Sequence, residues 1–301
     1  TQVAYNGSFG ISTVYKNLKM LSGDEFRSVA SERGISILDK GNNTNFQKEI
    51  QQTGLQQNHH VAFYGGPSTS SYRVSLGFMD RQGVILNEDM KNFTSNMNMN
   101  QKMFDGFFDC ELGMFGSILK NHNLVDYQKT FYSAATFNPT YPNHKDPVTN
   151  SWDGITTASQ ITNPLAWMQV DDDDATSHIS THARFTFNLM KELKLVLFGA
   201  DTYKIVGSWQ YLPTSVWANG QAYKGTKKME SLLGNMMLTY KKGWKKHFFD
   251  VLALAELQKE TYTGYYTTVS NFSTDKFGYN NLQAGAVRLW EGTNSYYEQP
   301  R

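Results

Sequence analysis

The sequence predicts an all-β fold: an antiparallel transmembrane β-barrel segment of about nine strands, with short helices in an extracellular loop. Three observations predict this fold. Many stretches alternate between apolar and polar residues with the period of two that is typical of a strand. The connections between these stretches alternate between short and long along the chain. Acidic residues also stand on strand faces, where the dry core of a sandwich would make a lone carboxylate costly.

Composition limits the other classes of protein. The chain has 301 residues, a formal net charge of +1 and 14% aromatic residues, so its charge gives no indication of nucleic-acid binding. Mean hydropathy is -0.51, and no apolar run approaches the roughly 20 residues of a membrane helix. Barrel strands escape that test because half of their residues face a wet lumen. The single cysteine, Cys110, excludes an internal disulfide framework and is interpreted as a small apolar strand residue.

The clearest strand pair lies in residues 58–86. Gly65, Gly66, Pro67 and the Ser/Thr run to Ser71 supply a tight polar turn. After the turn, one predicted face carries Tyr72, Val74, Leu76 and Phe78, and the other carries Arg73, Ser75, Gly77 and Met79. Further strands are predicted at residues 3–11, 92–100, 107–119, 179–189, 195–208, 229–240 and 248–262.

Two helices are predicted between the first two strands. Ser22 and Glu25 form a capping-box pattern, which predicts a helix over residues 23–33 that ends at Gly34. Residues 45–52 are predicted to add a second, shorter helix.

The lengths of the connections favour a barrel over a Greek-key sandwich. Outer-membrane barrels have short periplasmic turns and longer extracellular loops. Short connections are predicted at residues 65–71, 101–106, 191–194 and 241–246. Long ones are predicted at residues 16–57, 120–177, 210–228 and in the tail from 267. The short connection at residues 87–91 falls where a long loop is expected.

Several of these motifs resemble one family. The stretch NHHVAFYGGPSTSSYRVSLGFMDRQGVIL at residues 58–86 combines a Gly-Gly turn, an alternating strand and the run from Asp80 to Ile85. Together with VAYNGSFGI at 3–11, LKMLSGDEF at 18–26 and NPLA at 163–166, it resembles the SusC/RagA family of TonB-linked outer-membrane proteins. The resemblance covers most of the chain in order.

The resemblance implies that residues 1–301 are one partial barrel, the first portion of a large barrel with a plugged lumen. The plug, the TonB-contacting segment and the remaining strands are expected to lie outside residues 1–301. The implied location is the outer membrane, in contact with its lipid, which the chain crosses many times. The implied function is import of an oligosaccharide or peptide nutrient, energised by TonB, with a SusD-like surface lipoprotein as lid. The resemblance implies no cofactor.

No enzyme is predicted, because the chain has no GxSxG, Walker, HExxH or CxxC sequence. His178 and His182 would lie roughly 13 Å apart on a strand, and His59 and His60 would point to opposite faces. No metal site is therefore predicted, although the acidic run 171–174 leaves calcium binding as an alternative to a solvated loop end.

Aromatic residues of the long connections are the candidate substrate-binding residues. The candidates are Trp152, Trp217 and Tyr141 in the long connections and Trp209 near a strand end, with Trp152 and Trp217 the preferred pair. The alternative is that these rings pack loop on loop or join the interfacial aromatic girdle. Trp167 and Tyr211 are further aromatics assigned to the long loops.

Two other classes of function stay open from the sequence. The first is a secreted or surface-exposed β-rich protein that binds or adheres without transport, and the second is an outer-membrane enzyme. A barrel requires a continuous apolar band on its outside, whereas a sandwich buries that face. An enzyme requires a clustered Ser/His/acid set, which the sequence does not indicate.

Overall fold

The computed structural model describes residues 1–155, 161–289 and 294–300. In these residues one antiparallel sheet of eleven strands dominates. The strands are β1 (Gln2–Ser12), β2 (Gly54–Gly65), β3 (Ser70–Gln82), β4 (Asp89–Met103), β5 (Phe108–His122), β6 (Asp171–Asn188), β7 (Leu193–Leu212), β8 (Gln221–Trp244), β9 (His247–Phe272), β10 (Gly285–Leu289) and β11 (Asn294–Pro300). The α-helices are α1 (Gly23–Glu32), α2 (Phe46–Glu49), α3 (Tyr127–Thr136) and α4 (Pro164–Trp167).

Each strand pairs with the next one in the chain from β1 to β10, which is a simple up-and-down meander. β10 pairs with β9 residues between Thr268 and Phe272, and β11 pairs with β9 residues from Lys259 to Tyr265, so β10 and β11 follow one another along the same edge of β9. Among the described strands the sheet does not close on itself, because β1 pairs only with β2. The prediction of an all-β, antiparallel barrel segment is confirmed.

The strand register confirms the predicted alternation of faces. Val74 lies opposite Phe63 on β2 and Met97 on β4, whereas Ser75 lies opposite Ala62 and Asn96. Because directly opposed residues point to the same side of a sheet, these pairings extend two faces across all strands. We call the face that contains Val74 the outward face and the face that contains Ser75 the inward face.

Exposure differs between the two faces in the way a curved wall requires. Although the sheet is open, four residues of the inward face are at most 7% exposed: Ala62, Ser75, Thr186 and Val196. Large apolar residues on the outward face stay exposed, including Phe9 at 70% and Leu257 at 71%. The inward face is therefore the crowded, concave side, and the apolar outward face is the convex side.

The apolar band on the outward face runs obliquely to the strand register. On β1 the band includes Val3 and Ile11. When the strand pairings are followed from β1 to β9, these two positions correspond to Lys259 and Thr267, in a polar part of β9. The apolar outward residues of β9, such as Val251 and Leu257, lie nearer the short-turn end. A level band produces this offset when strands tilt, as barrel strands do. The 24 residues of β8 and 26 of β9 exceed the roughly 9–11 needed to cross a bilayer, so both extend well beyond the band.

The connections confirm the alternation of short and long. Short turns occupy residues 66–69, 104–107, 189–192 and 245–246, all at one end of the sheet. The other end carries residues 13–53, 83–88, 123–170, 213–220 and 273–284. The helices in the first of these long connections match the prediction: Ser22 and Glu25 form a capping box, α1 ends at Glu32, and α2 follows. No helix among the described residues is long and apolar enough to cross a membrane.

Several predicted boundaries were wrong at the long-loop end. Residues 210–212 and 221–228 belong to strands β7 and β8, so only 213–220 form the loop, and the basic turn shrinks to residues 245–246. The tail predicted as loop from residue 267 contains the end of β9 and strands β10 and β11. The acidic run 171–174 begins β6 rather than ending a loop. Beyond the apolar band apolar and polar residues no longer alternate regularly, as in QAYKGT at residues 221–226, so the period-two signal on which these predictions depended disappears.

Candidate functional site

The long connections fold together into one structure at the end of the sheet. We call the described residues of 13–53, 83–88, 123–170 and 213–220 the cap. Residues 156–160 of this region lie outside the described part of the chain. Loops carried on a rigid sheet are the usual place for binding sites, so the cap and the inward wall beneath it are the candidate site.

The first core of the cap joins three of these connections. Ile50, Ile85, Leu124, Ala134 and Met168 pack together and are each at most 6% exposed. Ile50 follows α2, Ile85 comes from the short connection after β3, and the other three come from the 123–170 segment. Burial of five apolar side chains from distant parts of the chain fixes these segments relative to one another.

Backbone hydrogen bonds reinforce this packing. The amide of Asn42 donates to the carbonyl oxygen of Thr140 at 3.0 Å, and that of Thr44 donates to Pro139 at 2.8 Å. The side-chain amide of Asn87 donates to the carbonyl oxygen of Met168. These bonds satisfy loop backbone groups that would otherwise be buried without partners.

The NPLA sequence positions the second core of the cap. Asn163 is completely buried and caps α4, because its side-chain oxygen accepts hydrogen bonds from the amides of Leu165 and Ala166. Pro164 occupies the first helical turn, where its missing amide hydrogen is tolerated. The core itself consists of Ala166, Trp167, Val170, Leu212 and Val216.

Trp152 and Trp217 both pack against this second core, so the structure brings the two preferred candidates to the same cluster. The indole nitrogen of Trp152 is buried and has no hydrogen-bond partner among the described residues. Trp167, at the centre, donates to the carbonyl oxygen of Val125 at 2.9 Å, and the Lys129 ammonium lies 4.2 Å from its ring centroid. Packing within the cap is therefore observed for both tryptophans, and contact with a substrate remains a prediction.

The other two candidates lie elsewhere. Tyr141 meets Phe137 edge to face, with ring centroids 5.1 Å apart. Trp209 lies within β7 on the outward face, where it stacks on Tyr279 of the 273–284 connection at 6.4 Å. Tyr211, assigned to a loop in the sequence analysis, is a β7 residue and is only 3% exposed. The four candidates therefore do not form one cluster.

An ion pair stabilises the region around α1. Arg27 donates to both carboxylate oxygens of Asp39, at 2.8 and 3.0 Å, and to Asp24 at 2.9 Å. The hydrogen bond from Arg27, assisted by one from the amide of Gly41, holds the pKa of Asp39 below its ordinary value. This bidentate geometry restrains the loop between α1 and α2.

The acidic run 171–174 divides between the two faces of β6. Asp173 points outward, where it binds His122 at 2.7 Å and accepts a hydrogen bond from Tyr279 at 2.6 Å. Asp174 points inward and accepts hydrogen bonds from Asn121 and Asn123. Neighbouring carboxylates on opposite faces do not converge on one ion. In the part of the chain that the structure describes, no group of three or more acidic, histidine or cysteine side chains could hold a metal.

The histidines also separate by face. His59 points outward and bonds the Tyr5 hydroxyl at 2.7 Å, while His60 points inward. His182 lies over Gly113 on the inward face, with its Nε2 3.7 Å from a carboxylate oxygen of Glu111. A Cβ at Gly113 would overlap the imidazole in this position, so the glycine leaves room for the ring.

Sequence reasoning missed a group of residues on the inward wall beneath the cap. Gln210 on β7, Tyr223 on β8 and Tyr266 on β9 were assigned to loops or not singled out, yet all lie on the inward face of long strands. Trp209 and Tyr211 flank Gln210, and Tyr265 precedes Tyr266, so no regular apolar–polar alternation marks these residues as strand residues. A tyrosine two residues from a glycine, as in Tyr223 and Gly225, is a sequence signal that could have drawn attention to this part of the wall.

These features define a class: a tilted, antiparallel barrel wall with an apolar convex face, a polar concave face and a folded cap at one end. No protein-family model matches the chain. The chain is 26% identical over 284 residues to the TonB-dependent receptor SusC of Bacteroides thetaiotaomicron, covering 85% of the chain and 28% of that relative. It is 25% identical over 299 residues to TonB-dependent receptor P3 of Formosa agariphila, covering 94% of the chain and 29% of that relative.

Solved structures share the fold. The chain matches the structure of the RagAB peptide transporter with a TM-score of 0.73 and 16% identity, over 98% of this chain and 39% of that one. The closed-closed state of the RagAB peptide importer gives a TM-score of 0.74, also at 16% identity, over 99% of this chain and 39% of that one. The comparisons confirm the resemblance to SusC/RagA-type TonB-dependent receptors. This chain spans less than a third of the length of the two receptors named above.

Proposed function

We propose that this chain is the wall and cap of a TonB-dependent outer-membrane transporter of the SusC type, which imports a glycan or peptide nutrient. The observation that carries the proposal is the pairing of an apolar convex face with a polar concave face under a folded cap. An apolar outside suits a lipid environment, and a polar inside suits a hydrated substrate path. The similarity to two TonB-dependent receptors supports the same conclusion.

The proposal assigns transport rather than chemistry to the site. We place it in the outer membrane, which the strands cross repeatedly, with TonB as the source of energy. A SusD-like surface lipoprotein is proposed to close over the cap. Exposed apolar side chains on the cap, such as Leu18, Leu21 and Tyr132, are 47–67% exposed and offer surface for such a partner.

The test is nutrient uptake by cells that carry the full-length receptor. Strains with the receptor, without it, and with the receptor but no functional TonB are grown on a panel of polysaccharides and on peptides as sole nutrient. We expect growth on at least one nutrient to require both the receptor and TonB. Surface binding that persists without TonB and never leads to uptake would instead support the adhesion alternative and contradict transport.

A further inference from the structure

Two tyrosine rings lie side by side on the inward wall beneath the cap. Tyr223 on β8 and Tyr266 on β9 have ring centroids 5.8 Å apart and planes that differ by 35°. Both side chains are half-buried, and both belong to the parts of β8 and β9 that extend beyond the apolar band. They therefore lie on the path between the cap and the lumen.

Gly225 leaves room for the Tyr223 ring on this surface. It lies beside Tyr266 in the register, two residues after Tyr223. A Cβ at Gly225 would be 2.6 Å from the Tyr223 hydroxyl and 3.2 Å from the Cβ of Tyr266, so the Tyr223 ring lies back across the glycine. One face of the Tyr223 ring packs against the wall, and the other face points toward the interior of the barrel.

Polar groups border the two rings. Gln210 lies directly opposite Tyr223 on β7, and its amide donates to the carboxylate of Asp172 on β6 at 3.3 Å. Ser208 lies directly opposite Gly225. This strip of the wall therefore offers a hydroxyl, an amide and a carboxylate, which together can donate to and accept from the hydroxyl groups of a ligand.

We propose that Tyr223 and Tyr266 form a stacking platform for a neutral oligosaccharide, with Gln210 and Asp172 binding its hydroxyl groups. The face of an aromatic ring carries partial negative charge, which attracts the weakly positive C–H face of a sugar ring. Two rings side by side suit two consecutive sugars of one chain. The inference rests on the proposed function, because only a ligand that enters the lumen reaches this wall, and it selects glycan over peptide.

The experiment measures equilibrium binding to the purified full-length receptor, which does not require transport. The probes are maltohexaose, cellohexaose, xylohexaose and mannohexaose, with a tryptic digest of casein as the peptide probe. The variants are Tyr223→Leu and Tyr266→Leu, which keep bulk without an aromatic face, and Tyr223→Phe and Tyr266→Phe, which keep the face. Tyr265→Leu is the matched control, because Tyr265 is the neighbour of Tyr266 on the outward face and is 58% exposed.

We expect at least one hexasaccharide to bind and each leucine variant of the platform to raise its Kd roughly tenfold or more, equivalent to ~1.4 kcal/mol. For both phenylalanine variants and Tyr265→Leu, we expect a Kd within about twofold of that of the unmodified receptor. This change corresponds to less than half of ~1.4 kcal/mol. Binding of the peptide digest alone, no hexasaccharide binding, or equal losses in Tyr265→Leu would each overturn the proposal. Failure of the proposed function is distinguishable, since it appears as hexasaccharide binding with no TonB-dependent uptake.

Discussion

Tyr211 and Asp275, 64 residues apart in the sequence, are joined by a hydrogen bond of 2.7 Å from the tyrosine hydroxyl to the carboxylate. The same carboxylate accepts hydrogen bonds from the backbone amide of Thr214 at 2.9 Å and from its hydroxyl at 2.7 Å. Asp275 therefore connects the end of β7 and the 213–220 loop to the 273–284 connection. A second bond, from Tyr279 to Asp173, holds the same connection against β6.

This contact predicts sensitivity to acid. Partial burial by itself raises the pKa of Asp275, but the hydrogen bonds from Thr214 and Tyr211 outweigh it and hold the pKa below its ordinary value. A carboxyl whose pKa is lowered by folding stabilises the folded state above its unfolded pKa, about 3.9, and loses that contribution as pH falls through the folded value. We expect amide hydrogen exchange in residues 273–284 to accelerate in that acidic window.

The matched variant is Asp275→Asn, which keeps the shape but removes the charge. Hydrogen bonds to a charged group contribute about 1.5–3 kcal/mol, against about 0.5–1.5 kcal/mol for neutral partners, so local protection should fall at neutral pH and lose its acid dependence. Asp146→Asn is the control, because its carboxylate caps a turn inside the 123–170 segment. An unchanged acid dependence in Asp275→Asn would contradict the assignment.

The tryptophans of the second core make a prediction about the cap. Trp152→Ala and Trp217→Ala each remove a ring that packs against that core, so we expect each to destabilise the cap by about 0.5–3 kcal/mol. Limited proteolysis of the 123–170 segment on the full-length receptor should therefore become faster. Tyr132→Ala is the control, since that aromatic side chain on α3 is 53% exposed. Reduced uptake with normal surface abundance and an unchanged cleavage rate would instead show the substrate contact predicted from the sequence.

Gly54, at the start of β2, has no room beside it for a larger side chain. A Cβ at Gly54 would lie 2.6 Å from the backbone carbonyl oxygen of Gln82, which cannot move aside without disturbing β3. We expect Gly54→Ala to destabilise the full-length receptor by about 1–3 kcal/mol, as overpacking does. Gly116→Ala has nothing within 4 Å of the new Cβ and should be neutral or slightly stabilising. Thermal unfolding in detergent compares them, and equal midpoints would contradict this reading.

The part of the fold that could be predicted from the sequence is the part of each strand that carries the apolar band. There, as in β3 and β4, lipid outside and water inside impose a period of two that is visible in the residues themselves. α1 was predictable because Ser22 and Glu25 form a local capping pattern. Above the band that constraint ends, and the strand character of residues 221–226 and of β10 depends on pairing with distant partners.

The candidate site was predictable only in part. Sequence reasoning selected large aromatics in long connections, which located Trp152 and Trp217 but not their common core, because that core joins residues 125–170 to residues 212–217. The tyrosines of the inward wall were missed for a different reason. Their orientation follows from the strand register, which a sequence specifies only weakly where regular apolar–polar alternation is lost.

The most direct test of the central claim is which face of β3 meets lipid. Nitroxide labels are placed singly at Tyr72, Val74, Leu76 and Phe78, and at Arg73 and Ser75, in the full-length receptor reconstituted in membranes. Collisions with oxygen, which concentrates in lipid, and with a water-soluble nickel chelate report the surroundings of each label. We expect high oxygen accessibility at the first four sites only. The reverse pattern, or no difference between the two sets, would contradict a membrane barrel.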